Sequence, residues 1–170
     1  MELILPLTLT SVLTGLFGTM LMLASLYAPQ AWGRPAYDTL GTLGSFFTRR
    51  IDAQARVIGG LVLAAGGIVF AAWYGWIALM FMSGAFPTPD YRVLRDFPTE
   101  IHLFYPLFGL VGGFAQGVFA ALILAFVVVD FHPVAAQRDP FALVQSFLIG
   151  NTVFGLVVLF FQHQLLQLLI

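Results

Sequence analysis

The residues of this sequence best suited to bind a cofactor are its three histidines, His102, His132 and His163. An imidazole can ligate haem iron, and a single imidazole can also hold the magnesium of a chlorophyll-type pigment. Helical rise places His132 at the opposite membrane face from the other two, and separates His102 from His163 by roughly 9 Å along the axis. This offset disfavours a bis-histidine haem. It leaves His163 or His102 as a single ligand, or as an interfacial histidine bonded to a headgroup or a neighbour.

Two amide side chains lie deep in the apolar part of the sequence. Gln116 and Asn151 each fall within roughly 5 Å of the centre of a predicted span, so they can reach each other between helices three and four. Such an intramembrane hydrogen bond contributes about 0.6 to 2 kcal/mol. We interpret the pair as a device that positions helices; a substrate site, or a small solute channel lined by Gln116, Asn151 and Thr152, is the alternative.

Catalytic patterns are absent from the sequence. There is no cysteine, which excludes disulfides and thiolate chemistry, and no Gly-x-Ser-x-Gly, His-Glu-x-x-His or phosphate-loop motif occurs. The net charge is −1 without a basic run, which disfavours nucleic acid as a partner. The sequence therefore predicts neither an enzyme nor a metal site, and it requires no cofactor.

Four long apolar stretches contain no Asp, Glu, Lys or Arg: residues 3–26, 57–81, 104–129 and 141–169. Each is long enough to cross a bilayer as a helix, and a charge at the hydrocarbon centre costs a few kcal/mol, about 2.5 to 3.5 on insertion scales. The pattern predicts an all-α, polytopic membrane protein with four transmembrane helices in an antiparallel bundle. We place the helices of this single transmembrane domain, 1–170, at about 3–27, 57–82, 99–130 and 140–169.

Stripes of small residues predict where the helices pack, because lipid-embedded helices associate through close backbone approach. Gly60 and Gly67 supply such a stripe in helix two. In helix three, Gly109, Gly113 and Gly117 recur every four residues, which favours tight packing. The alternative is that this glycine face forms a groove for a pigment, a quinone or a lipid tail.

Segment 38–54, between helices one and two, has a helical apolar pattern at Leu40, Leu43, Phe47 and Ile51. We predict an amphipathic helix that lies on the membrane surface, with Asp38 as its N-cap. An ordered loop that packs on a partner subunit is the alternative. The proline-rich second loop is expected to be irregular, and Asp139 is expected to cap the last helix.

All seven basic residues are arginines, and most lie in the first and third loops. Basic residues favour the cytoplasmic side, so loops one and three are predicted to be cytoplasmic and both termini to face outward. The expected location is the cytoplasmic (inner) membrane of a bacterium. The arginines are Arg34, Arg49, Arg50 and Arg56 in loop one, Arg92 and Arg95 in loop two, and Arg138 in loop three.

Three segments, 38–44, 58–74 and 148–156, resemble small bacterial four-helix membrane proteins of unknown function. The resemblance implies an architecture and no activity. In such proteins a histidine would be expected inside the second and fourth helices, where this sequence has Ala65 and Asn151.

The sequence favours a non-catalytic accessory or scaffolding subunit of a larger respiratory or photosynthetic membrane complex. Its expected partners are membrane lipid and other subunits, with a haem or chlorophyll-type pigment as a candidate ligand. The competing hypotheses are a tetrapyrrole- or quinone-binding electron-transfer subunit that uses His163 or His102, and a small solute channel or transporter.

Overall fold

The computed structural model describes residues 3–33, 36–89, 91–94, 101–135 and 138–170. Within these ranges all regular secondary structure is helical apart from two short strands, which confirms the predicted all-α class. The elements follow in this order: α1 (Ile4–Tyr27), a 3-10 turn (Ala28–Trp32), α2 (Thr39–Thr48), α3 (Ala53–Met82), β1 (Arg92–Leu94), β2 (Ile101–His102), α4 (Phe104–Phe131) and α5 (Pro140–Leu169).

Four helices of the described part are long and apolar enough to cross a membrane. By length and composition the chain is therefore a multi-pass membrane protein whose helices contact lipid. The spans are Ile4–Ala31, Ala53–Met82, Phe104–Val128 and Pro140–Leu169.

Three of the helices have an aspartate as their N-cap. The Asp38 carboxylate accepts a hydrogen bond from the Gly41 amide at 2.9 Å, and the Asp139 carboxylate caps α5, so both predicted N-caps are confirmed. Asp52 caps α3 in the same way. This third cap explains why α3 begins at Ala53 rather than at 57, since its first turn projects from the apolar stretch.

The predicted start of the third span at 99 is wrong for 101–103. Residues 99 and 100 lie outside the described residues, β2 occupies Ile101–His102, and α4 begins at Phe104. The second loop is irregular at 83–89, as expected, but strand β2 pairs antiparallel with β1, which the sequence reading did not predict. A local preference agrees with this, because the β-branched Ile101 suits an extended backbone.

Helix α5 is the centre of the structure. It packs against α4, α1 and α3, whereas α2 packs on α3. In α5, 50% of the most apolar stretch is buried inside the protein, against 22% for the corresponding stretches of α3 and α4. Most of the surface of α3 and α4 is thus available to lipid or to neighbouring molecules.

The glycines of α4 contact the backbone of α5. A Cβ at Gly113 would lie 3.0 Å from the Cα of Gly155, and one at Gly117 would lie 2.9 Å from the carbonyl oxygen of Phe147. Gly109 faces the Gly155 carbonyl. Because α5 occupies this glycine face, the face cannot also be a groove for a pigment or lipid tail.

The two glycines expected to pack in α3 differ. Gly67 lies against α1, where a Cβ would be 3.0 Å from the Gly15 carbonyl oxygen. Gly60 is not a packing glycine, because a Cβ there would meet only the tip of Leu40, at 4.0 Å. Its neighbour Gly59 makes the close contact instead, with the Leu40 carbonyl. The seven-residue spacing of 60 and 67 suggests one stripe, but α2 approaches α3 from the side of Gly59.

Helix α2 lies within the predicted 38–54 segment and is wedged against the start of α3. Gly44 permits this approach, since it faces the Ala55 backbone. Leu43 packs toward α4 and α5, whereas Phe47 is 68% exposed. The buried face is small and largely polar: Thr39, Gly41, Thr42, Gly44 and Ser45.

Candidate functional site

The structure brings His102 and His163 together. Their ring centroids are 6.2 Å apart with an angle of 72° between the planes. The expected offset of roughly 9 Å between them is therefore wrong. That expectation counted His102 as part of a helix that begins at 99, but the residue lies in β2, before α4, where a helical rise per residue does not apply.

Tyr105 completes this group, which we call the His163 cluster: His102, Tyr105 and His163. The Tyr105 ring stacks on that of His163 at 3.7 Å and 19°, and meets that of His102 edge-on at 5.6 Å. The sequence reasoning missed Tyr105. Its position three residues after His102, at the start of the span, was the available signal.

Hydrogen bonding within the His163 cluster is incomplete. His163 is 3% exposed, and its Nδ1 lies 3.3 Å from Nε2 of Gln164. The Nδ1 atom of His102 is buried without a hydrogen-bond partner among the described residues. A buried nitrogen without a hydrogen-bond partner is energetically costly, so it is available to form a hydrogen bond with a ligand or to bind a ligand atom.

The described residues contain no group of three or more His, Cys, Asp or Glu side chains that could hold a metal ion. His102 and His163 can supply at most two imidazole ligands, as two axial ligands of a haem iron would. What the cluster offers chemically is a pair of imidazoles and an aromatic face, at the end of the spans that carries β2.

The third histidine lies at the opposite end and forms what we call the His132 cluster: His132, Thr42, Ser45, Val134 and Arg138. His132 is 0% exposed, and its Nδ1 accepts a hydrogen bond from the Val134 amide at 3.1 Å. Its Nε2 lies 3.0 Å from the Thr42 carbonyl oxygen and 3.2 Å from Oγ of Ser45, so both ring nitrogens have hydrogen-bond partners. Arg138 donates to the His132 carbonyl at 2.7 Å.

Tyr37 packs beside the His132 cluster, outside the spans. Burial raises the pKa of the Tyr37 hydroxyl above its ordinary value, and this effect outweighs the hydrogen bond with Thr42, which lowers it. The hydroxyl therefore keeps its proton at neutral pH. Hydrogen bonds of the His132 cluster connect α2 to the end of α4, which is a structural role.

Gln162 holds α1 to α5. It is 0% exposed, accepts a hydrogen bond from Thr14 at 2.5 Å and donates one to Thr10 at 2.7 Å. The sequence shows Gln162 inside a span, but it does not show which hydroxyls of α1 would reach it. Both functions of the amide are used, so this group links helices.

Gln116 and Asn151 are in contact, as their depth in the sequence indicates. Nε2 of Gln116 donates to Oδ1 of Asn151 at 2.8 Å, and Nδ2 of Asn151 donates to the Phe147 carbonyl at 2.8 Å. The pair lies at the back of a lateral groove of about 260 Å³ between α3 and α4. The groove is bounded by Thr19, Met22, Leu43, Val62, Leu63, Gly66, Gly67, Phe70, Gln116, Ala120, Leu124, Phe147, Asn151 and Phe154.

Comparison of the chain with protein-family models, with curated proteins and with solved structures finds no match.

Proposed function

We propose that this protein is a non-catalytic accessory subunit of a larger complex in the bacterial cytoplasmic membrane. The proposal rests on a contrast between the polar side chains inside the spans and the aromatic side chains on the surface of the protein. Gln162, which is 0% exposed, and Gln116, near the centre of its span, join helices of the chain to one another. Large aromatic side chains point outward instead, Phe119 and Phe126 among them at 69% and 71% exposure. Such rings offer apolar contact area to neighbouring subunits and lipid.

The proposal includes an orientation. The four spans form an antiparallel bundle with loops one and three in the cytoplasm. Helix α2 lies at the inner membrane surface, where the exposed Phe47 enters the acyl region and Arg49 and Arg50 lie at the level of the headgroups. The exposure of Phe47, next to two arginines, supports this placement.

Purification from native membranes in a mild detergent, followed by native electrophoresis and mass spectrometry, tests the proposal. We expect the chain to migrate with partner subunits in fixed proportion. A Phe119→Ala/Phe126→Ala variant should lose them, because these rings form the outward face of α4. A Leu13→Ala variant, on the outward face of α1, is the matched control. Recovery of the chain by itself, while other membrane complexes stay intact, would reject the proposal.

A second candidate function, tetrapyrrole binding, is supported by the His163 cluster. Two imidazole rings 6.2 Å apart, and a buried nitrogen on His102 that has no hydrogen-bond partner in the described part of the chain, are features of a ligand site. The test is the absorption spectrum of the purified protein. A Soret band that disappears in a His163→Ala variant would support this function, and a colourless preparation of the intact complex would contradict it.

A further inference from the structure

The groove between α3 and α4 is open, and its lining includes the exposed side chains of Val62 and Phe70 on the apolar span α3. Its walls come from the two least buried spans, its floor from α1 and α5, and Leu43 of α2 lies at one end. The lining is almost entirely apolar and includes the rings of Phe70, Phe147 and Phe154. A molecule dissolved in the bilayer can therefore enter it without passing through water.

Gly66 leaves a recess in the α3 wall of this groove. No atom lies within 4 Å of the place where its Cβ would be, whereas a Cβ at Gly67 would meet α1 at 3.0 Å. Gly66 is thus not required for the helix contacts of the described residues. It enlarges the groove, and a larger side chain at this position would fill it.

The groove also contains a hydrogen-bond donor at depth. Gln116 has two amide N–H groups, and among the described residues it donates only to Asn151. In an apolar environment the second N–H gains from a carbonyl acceptor. Gln116 lies within roughly 5 Å of the span centre, a depth that the headgroups of phospholipids do not reach.

We propose that this groove binds the ring of a membrane-soluble isoprenoid quinone. A ring carbonyl accepts a hydrogen bond from the second N–H of Gln116. The ring lies against Phe70, Phe147 and Phe154, and the isoprenoid chain extends between α3 and α4 into the lipid. The volume of about 260 Å³ is below the roughly 300 to 1,000 Å³ of sites for drug-sized ligands, so it suits one small ring system and not a macrocycle.

The assignment concerns binding alone and includes no electron transfer. It goes beyond the proposed accessory role, and the two residues that carry it, Gly66 and Gln116, belong to this chain. The two proposals can therefore fail separately: quinone affinity is measured on the purified chain, and subunit association on the native complex.

The experiment measures binding of a radiolabelled short-chain benzoquinone to the intact protein in lipid nanodiscs. Gly66→Leu should weaken binding at least tenfold, because the leucine fills the recess without striking any protein atom within 4 Å of its Cβ. Gln116→Leu should weaken it by roughly 2- to 10-fold, as expected for one neutral hydrogen bond. Ala65→Leu, on an exposed position of the same helix, should bind as the wild type does.

Leucine favours a helix more than glycine does, so Gly66→Leu should retain the wild-type circular dichroism spectrum and unfold at a temperature no lower than that of the wild type. Unchanged affinity in Gly66→Leu would overturn the site. Equal competition by an isoprenoid hydrocarbon without carbonyls, together with unchanged affinity in Gln116→Leu, would mean that the groove accepts any lipid chain and would overturn the quinone assignment.

Discussion

The two ends of the molecule contain the same residue type in opposite situations. In the His132 cluster both ring nitrogens have partners, and those partners include backbone groups of α2 and of the chain after α4. In the His163 cluster the contacts are mainly between ring faces and edges, and one buried nitrogen has no partner among the described residues. A buried histidine therefore indicates structure or function through its hydrogen bonds, not through its burial.

The largest effect is expected from His132→Ala. It removes the contact of the ring with the Thr42 carbonyl, the hydrogen bond from the Val134 amide and a fully buried side chain, which should lower the free energy of unfolding by about 3 kcal/mol. Denaturant titration in mixed micelles, followed by circular dichroism, measures the loss. His163→Ala is the matched comparison and should lose less, since its hydrogen bond is with the Gln164 side chain and not with backbone. Equal losses would remove the distinction between the two ends.

A smaller change of opposite sign is expected from His102→Phe. Phenylalanine keeps an aromatic ring beside Tyr105 and removes the unpaired Nδ1, so the free energy of unfolding should rise by about 1 kcal/mol. The same titration measures it. A loss of stability would show that this nitrogen has a partner in the membrane, such as water or a bound ligand, and that the two ends are more alike than the structure indicates.

The smallest effect concerns pH at the His132 end. The raised pKa of Tyr37 means that the folded state holds the hydroxyl proton more tightly than the unfolded state. This contribution to stability is complete below the ordinary pKa of 10.0 and is lost as the pH rises through the folded value. The unfolding temperature should fall as the pH is raised from about 9 through the folded-state pKa of Tyr37. The fall should be less steep in Tyr37→Phe, which has no hydroxyl to titrate. An identical slope in both proteins would contradict the raised pKa.

The sequence was reliable where the governing interaction is local. The apolar stretches predict the spans because helix formation and exclusion of charge from lipid depend on each segment by itself. Asp38 and Asp139 are confirmed as caps for a related reason, since an N-cap bonds to amides two or three residues away.

The sequence could not show which of two neighbouring residues contacts another helix. The sequence does not distinguish Gly59 from Gly60, yet of these two glycines only Gly59 makes a close contact with the α2 backbone. Gly66 resembles a packing glycine and instead lines a groove, because only the placement of α4 relative to α3 leaves that face open. The approach of His102 to His163 depends on the strand pair before α4, which the helical count did not include.

By itself the sequence determined how many times the chain can cross a membrane, where α2 and α5 begin and which side chains must find polar partners. The tertiary structure decided which partners they find: Thr10 and Thr14 for Gln162, the α2 backbone for His132, and none among the described residues for Nδ1 of His102. The physical reason is the distance along the chain over which each interaction acts. Burial in lipid and helix capping act within one segment, whereas a hydrogen bond between helices requires a rotation and a depth that two segments set together.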